Sequence, residues 1–183
     1  MKKLIIIPLL LLPLSLTAPT LDWRTRLDNK YDRLKYYEEL LYQRELDKYA
    51  HHLAYKETRN NWKVINDYGY MGAFQHGTDI LSDFGLDITP EAFRADSSIF
   101  PPELQYKVLM AQIKVQTIQL RKFDAWIGHE VGGVVITRAG MLAATHLGGL
   151  GAVRDFLYYG IDRADGNGTR ISDYLNEFSI YEL

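Results

Sequence analysis

From Leu21 to about Tyr55 the chain contains neither Gly nor Pro, and Trp23, Leu27, Tyr31, Leu34, Leu41 and Tyr49 recur largely at helical spacing. The pattern predicts one long or once-broken helix. Asp28, Lys30, Arg33, Lys35, Glu38 and Glu39 fall between those positions and are expected on a solvated face. Asn60-Asn61, Asp67, Gly69 and Gly72 then break the helical period. Tyr68, Tyr70 and Phe74 alternate as in a short strand or extended loop, so a small irregular or β segment is expected.

Farther along, Gly77 to Phe84 reads as a short helix ended by Gly85, and Asp87 to Ser98 as a connection with a helical turn after Pro90. Pro101-Pro102 opens a central helix running to Trp126, closed by Gly128, with Leu104, Val108, Ala111, Val115, Ile118 and Phe123 as its apolar positions. Thr137 is the expected N-cap of a helix to Leu147, followed by a second helix from Ala152 to Tyr159 and a last one from about Ser172 to Phe178. The reading is a mainly α fold, with no repeat of solenoid length.

The first residues change the picture of where the chain acts. Met1-Lys2-Lys3 precedes an apolar run from Leu4 to Leu16 that is shorter than a membrane-spanning helix and is interrupted by Pro8 and Pro13. This reads as a secretory signal over residues 1–18, with the mature start near 18 to 21, and no stable membrane anchor is expected. Export to the periplasm or the exterior follows. Removal of Lys2 and Lys3 leaves 19 basic against 23 acidic side chains, a mature charge of -4. That balance argues against nucleic acid as a partner.

The 183 residues hold 47% hydrophobic side chains, enough for one buried core, and no cysteine, which excludes disulfides and thiolate chemistry. The five histidines are scattered and no His-Glu-x-x-His occurs, so no metal site and no cofactor is expected. Asp165-Gly-Asn-Gly-Thr169 lacks the sixth-position Gly and twelfth-position Glu of an EF-hand loop and reads as a turn.

The segment from Glu57 to Gln75 carries the candidate chemistry. Glu57 sits at a helix end, and among Tyr55, Trp62, Tyr70 and Phe74 a carboxyl group would be shielded from water, as suits a general acid. Taken alone, a glutamate at a helix end is most often a surface charge, and aromatic residues are most often core. The surroundings favour saccharide binding: glycines admit a flat ring closely, aromatic faces stack on it, and Gln75 can orient a hydroxyl or amide.

Glu57, Asn61-Trp62 and Gly69-Tyr70-x-Gly72-x-x-Gln75 resemble the active-site stretch of the lysozyme-like lytic transglycosylase and resuscitation-promoting-factor superfamily, Glu-Ser-Gly-Gly-Asn-Trp followed by Gly-Tyr-x-Gly-x-x-Gln. The spacing agrees throughout. Thr58 stands for the serine, and Arg59-Asn60 for two glycines. Gly140 to Phe178 looks like the carboxyl-terminal helical part of a subgroup of secreted lysozyme-like proteins.

The resemblance implies an α+β lysozyme-like domain over residues 51–183, preceded by a helical extension over 19–50. It also implies cleavage of the MurNAc-β-1,4-GlcNAc bond of peptidoglycan. Glu57 would be the single catalytic acid and base, and Asn61, Trp62, Tyr70, Gly72, Phe74 and Gln75 would bind substrate. A hydrolytic muramidase would need a second carboxylate, for which Asp67, Asp79 and Asp83 are nearest in sequence. A noncatalytic wall-binding or assembly protein on the same scaffold is the alternative from another class, and the tyrosine-rich 21–50 helix would then offer a surface for a protein partner.

Overall fold

The computed structural model describes the backbone of residues 23–183 and side chains from Asp28 onward. The secretory-signal reading of residues 1–18 lies outside the described residues. The chain divides into two units, Met1–Glu39 and Leu40–Leu183.

The fold is mainly helical. Helix α1 spans Trp23–Thr58. In the first unit its side chains from Asp28 to Glu39 are all exposed, Tyr31 and Leu34 among them. The helical spacing of Tyr31, Leu34 and Leu41 therefore does not make a buried face here: each is more than half exposed. In the second unit the helix buries Leu46, Tyr49, Ala50, Leu53 and Ala54, which return at intervals of three and four residues.

Short helices α2 (Thr78–Asp83) and α3 (Pro90–Ala95) follow the glutamate segment. Thr89 caps α3, its side chain accepting the Ala92 N–H at 3.2 Å. Helix α4 (Pro102–Leu120) tightens into a 3₁₀ segment, Arg121–Trp126. Helix α5 spans Arg138–Tyr159, with Thr137 accepting the Gly140 N–H as its N-cap. Gly149, whose φ of 75° and ψ of 170° only glycine adopts readily, interrupts this span, so it consists of two helices across a kink, as the sequence predicts. Helix α6 (Ile171–Glu177) packs against α5.

Two corrections concern buried faces and strands. On α4 the buried side is Gln105, Val108, Leu109, Gln112, Ile113, Gln116 and Leu120, whereas Val115 and Ile118 are exposed. Three glutamines hold core positions that a hydropathy pattern assigns to the surface. The antiparallel pair of strands, β1 (Glu130–Val131) and β2 (Val134–Val135), lies after α4. The segment after Glu57 is irregular, one of the two forms expected for it, and consists of turns with isolated bridges, Ile65 to Met71 and Met71 to His76. The larger core cluster joins α1, α4, α5 and α6, and a smaller one gathers Met71, Leu81, Ile88, Phe93, Phe100 and Val108.

Candidate functional site

Glu57 occupies the last turn of α1, and the chain must reverse immediately after it. Arg59 and Asn60 make the reversal in the left-handed region, with φ of 56° and 63°. Their N–H groups bond Tyr55 O at 2.9 Å and Ala54 O at 3.1 Å, satisfying carbonyls at the helix end. Asn tolerates this conformation, but an arginine there costs about 1 kcal/mol. Its guanidinium lies 4.5 Å from the Tyr55 ring centroid. Arg59→Gly is thus expected to hold or raise stability, by up to about 1 kcal/mol, despite losing that contact. Denaturant midpoints of the two proteins check it.

Beyond the reversal, Asn66 organises the next loop. Its Oδ1 accepts the N–H groups of Tyr68 and Tyr70, both at 2.9 Å. The two rings remain 73% and 45% exposed, leaving apolar faces open to solvent. Gly72 lies deeper. With φ of 78°, it passes so close to Gln105 that a Cβ would stand 2.4 Å from Gln105 Oε1. Gln75 also has positive φ, 53°, and its Nε2 donates to Gly72 O at 2.9 Å. His146 Nε2 lies 2.9 Å from Phe74 O, so α5 holds the loop from the other side.

A cleft of about 500 Å³ results, lined by Glu57, Asn66, Tyr68, Tyr70, Gln75, His146, Leu147, Asp165, Gly166 and Asn167. Its far wall is the 165–169 turn, in which Asp165 Oδ1 accepts the N–H groups of Asn167 and Thr169 at 2.9 and 2.8 Å. Gly166 lets that wall approach Tyr68, whose hydroxyl would sit 2.8 Å from a Cβ placed there. From α6, the Tyr174 hydroxyl donates to Glu57 Oε1 at 2.6 Å. Burial, followed by the nearby Glu57 carboxyl, pushes the Tyr174 phenol well above its ordinary range, so it remains a donor.

Of the seven candidates from the sequence, Glu57, Tyr70 and Gln75 line this cleft. The other four do not. Asn61 is exposed, and its Oδ1 accepts the Lys63 N–H at 3.1 Å in a local turn. Gly72 is buried and shapes the loop by permitting close backbone approach. Phe74 is 6% exposed and belongs to the core, so its ring is not a stacking platform. Trp62 packs against the same core and lines a separate apolar groove with Ala50, Ala54, Phe74 and Tyr106. Neither ring lines the cleft, and Tyr55 is exposed outside it.

Asp67, Asp79 and Asp83 do not line the cleft, whereas Asp165 does. Sequence reasoning missed Asp165, His146 and Tyr174 as site residues because each lies at least 70 residues from Gln75 in the chain. The available signal was slight: a tyrosine at a buried helix position, where phenylalanine would suffice for packing, needs a hydrogen-bond partner. Among the described residues no cluster of three or more His, Asp or Glu side chains could hold a metal ion.

His76, 1% exposed behind the loop, adds a pH dependence. Burial, reinforced by His146, pushes it down to about 3. The unfolded chain takes up the proton near pH 6.5 and the folded one does not, so stability is complete above that pH and falls as the pH drops toward 3. The expected loss from this group is about 2 kcal/mol by pH 5. Unfolding midpoints at pH 7 and pH 5 should separate less for His76→Gln than for the parent.

No family model matches the chain, and comparison with curated proteins and with solved structures likewise finds no match.

Proposed function

We propose that the protein is an exported peptidoglycan-cleaving enzyme of lysozyme-like type, a lytic transglycosylase acting on the MurNAc-β-1,4-GlcNAc bond. The observation carrying this reading is the placement of Glu57 at the foot of a polar cleft beside two exposed tyrosine rings, with its carboxylate held by Tyr174. Further support comes from the helix reversal. Where the superfamily's motif has two glycines, this chain has Arg59-Asn60, and both adopt the left-handed conformation that glycines favour.

In this reading a pyranose ring stacks on Tyr68 or Tyr70, and Gln75 and Asn167 orient its hydroxyl or acetamido groups. Glu57 gives its proton to the glycosidic oxygen as the C–O bond breaks. It then takes the proton of the MurNAc 6-hydroxyl, whose oxygen bonds to the anomeric carbon and closes a 1,6-anhydro ring. No water is consumed. Tyr174, donating to the oxygen Oε1, positions the carboxyl group through both steps.

Asp165 favours one second reading, a hydrolytic muramidase in which that carboxylate activates water or stabilises the oxocarbenium-like centre. Both readings require cleavage of the same polymer. The test is to incubate the intact protein with purified peptidoglycan, with chitin and with an unrelated glucan, and to measure soluble fragments. Release from peptidoglycan alone is expected. No release from peptidoglycan under conditions where the protein is folded and bound to it would overturn the enzymatic reading and favour a wall-binding protein.

A further inference from the structure

Every residue of α1 from Asp28 to Arg44 is exposed. Tyr31, Leu34, Tyr37 and Leu41 are 71, 56, 60 and 57% exposed, a density of large side chains that a solitary solvated helix does not require. Leu27, Leu34 and Leu41 recur every seven residues, and Lys30, Tyr37 and Arg44 fall three residues after them. That is the spacing of a two-helix seam.

The charges select the occupant. Arg24 to Lys35 carries five basic and two acidic side chains, whereas Glu38 to Lys48 carries four acidic and two basic. Parallel copies would set basic against basic and acidic against acidic, while antiparallel copies set each half against its complement. We propose that α1 pairs in antiparallel fashion with α1 of a second copy of this chain, burying the Leu34 and Leu41 face. In the register that alternates the two seam positions, Leu34 meets the partner's Tyr37, and the stem of Lys30 lies along the partner's Leu41, its ammonium reaching solvent. This pairing does not depend on the chemistry assigned to Glu57.

Light scattering and sedimentation of the intact protein test the first part. A concentration-dependent rise to twice the monomer mass is expected, and Leu34→Glu should raise the dissociation constant by about 100-fold or more, because the substitution enters the seam twice. Direction is tested separately. The chain contains no cysteine, so Lys30→Cys and Leu41→Cys proteins each carry one thiol. In a mixture of the two, a short bismaleimide should mainly join one variant to the other rather than either to itself. In the antiparallel pair, two copies of position 30 stand roughly 16 Å apart along the axis. A monomer at every concentration, or efficient linking of the Lys30→Cys protein to itself, would overturn the proposal.

Discussion

Glu57→Gln is expected to lower fragment release from peptidoglycan by at least about 100-fold while leaving the unfolding midpoint nearly unchanged. Removing a positioned proton donor commonly costs 10² to 10⁴ in rate, and here the same group serves both proton transfers. Glutamine keeps the volume and an amide oxygen able to accept from the Tyr174 hydroxyl, now 2.6 Å from Glu57 Oε1. Loss of activity without loss of stability separates chemistry from folding. The check is initial rates on one peptidoglycan preparation alongside thermal melts. Retention of more than about a tenth of the parent rate would remove Glu57 from the reaction.

The second large effect is structural and centres on Gln105. This side chain is fully buried and works at three points: its Oε1 accepts the Ala73 N–H at 2.8 Å, and its Nε2 donates to Trp62 O at 2.9 Å and Phe100 O at 2.7 Å. It thereby ties α4 to the loop that carries Tyr70 and Gln75. Leucine at this position matches the apolar surroundings but leaves the buried Ala73 N–H and Phe100 carbonyl, and the part-buried Trp62 carbonyl, without this partner. At about 1 to 3 kcal/mol for each group, Gln105→Leu should destabilise the protein by at least about 3 kcal/mol. Chemical denaturation measures it. A change below about 1 kcal/mol would mean that the network is not what holds the loop.

The sequence revealed the elements more readily than their faces. Thr137, Gly85 and Gly160 mark helix ends because their capping chemistry is local, and the helices they bound are present. The buried side of α4 was hidden because glutamines take three of its positions, and Gln105 meets its polarity wholly inside the fold. Glu130-Val131-Gly132-Gly133-Val134-Val135 carried a hairpin signal, a Gly-Gly turn between valines, which the long helical patterns on either side overshadowed.

The candidate site divides along the same line. Glu57, Tyr70 and Gln75 were legible because one continuous segment sets their spacing. Phe74 and Trp62 belonged to the same pattern, yet the direction of a side chain at each step of an irregular loop depends on what packs behind it, and here the core claims both. His146, Asp165 and Tyr174 reach the cleft only through the packing of α5, the 165–169 turn and α6 around the end of α1. Tertiary structure alone brings them there.

The central claim, that Glu57 works as acid and then base without admitting water, is tested most directly by the chemical ends of the released fragments. Mass spectrometry of the earliest soluble products should find chains ending in 1,6-anhydro-MurNAc, lighter by one water than reducing ends, and none above background with Glu57→Gln. Reducing ends as the first products would contradict the claim and would assign the reaction to water, the hydrolytic reading that Asp165 favours.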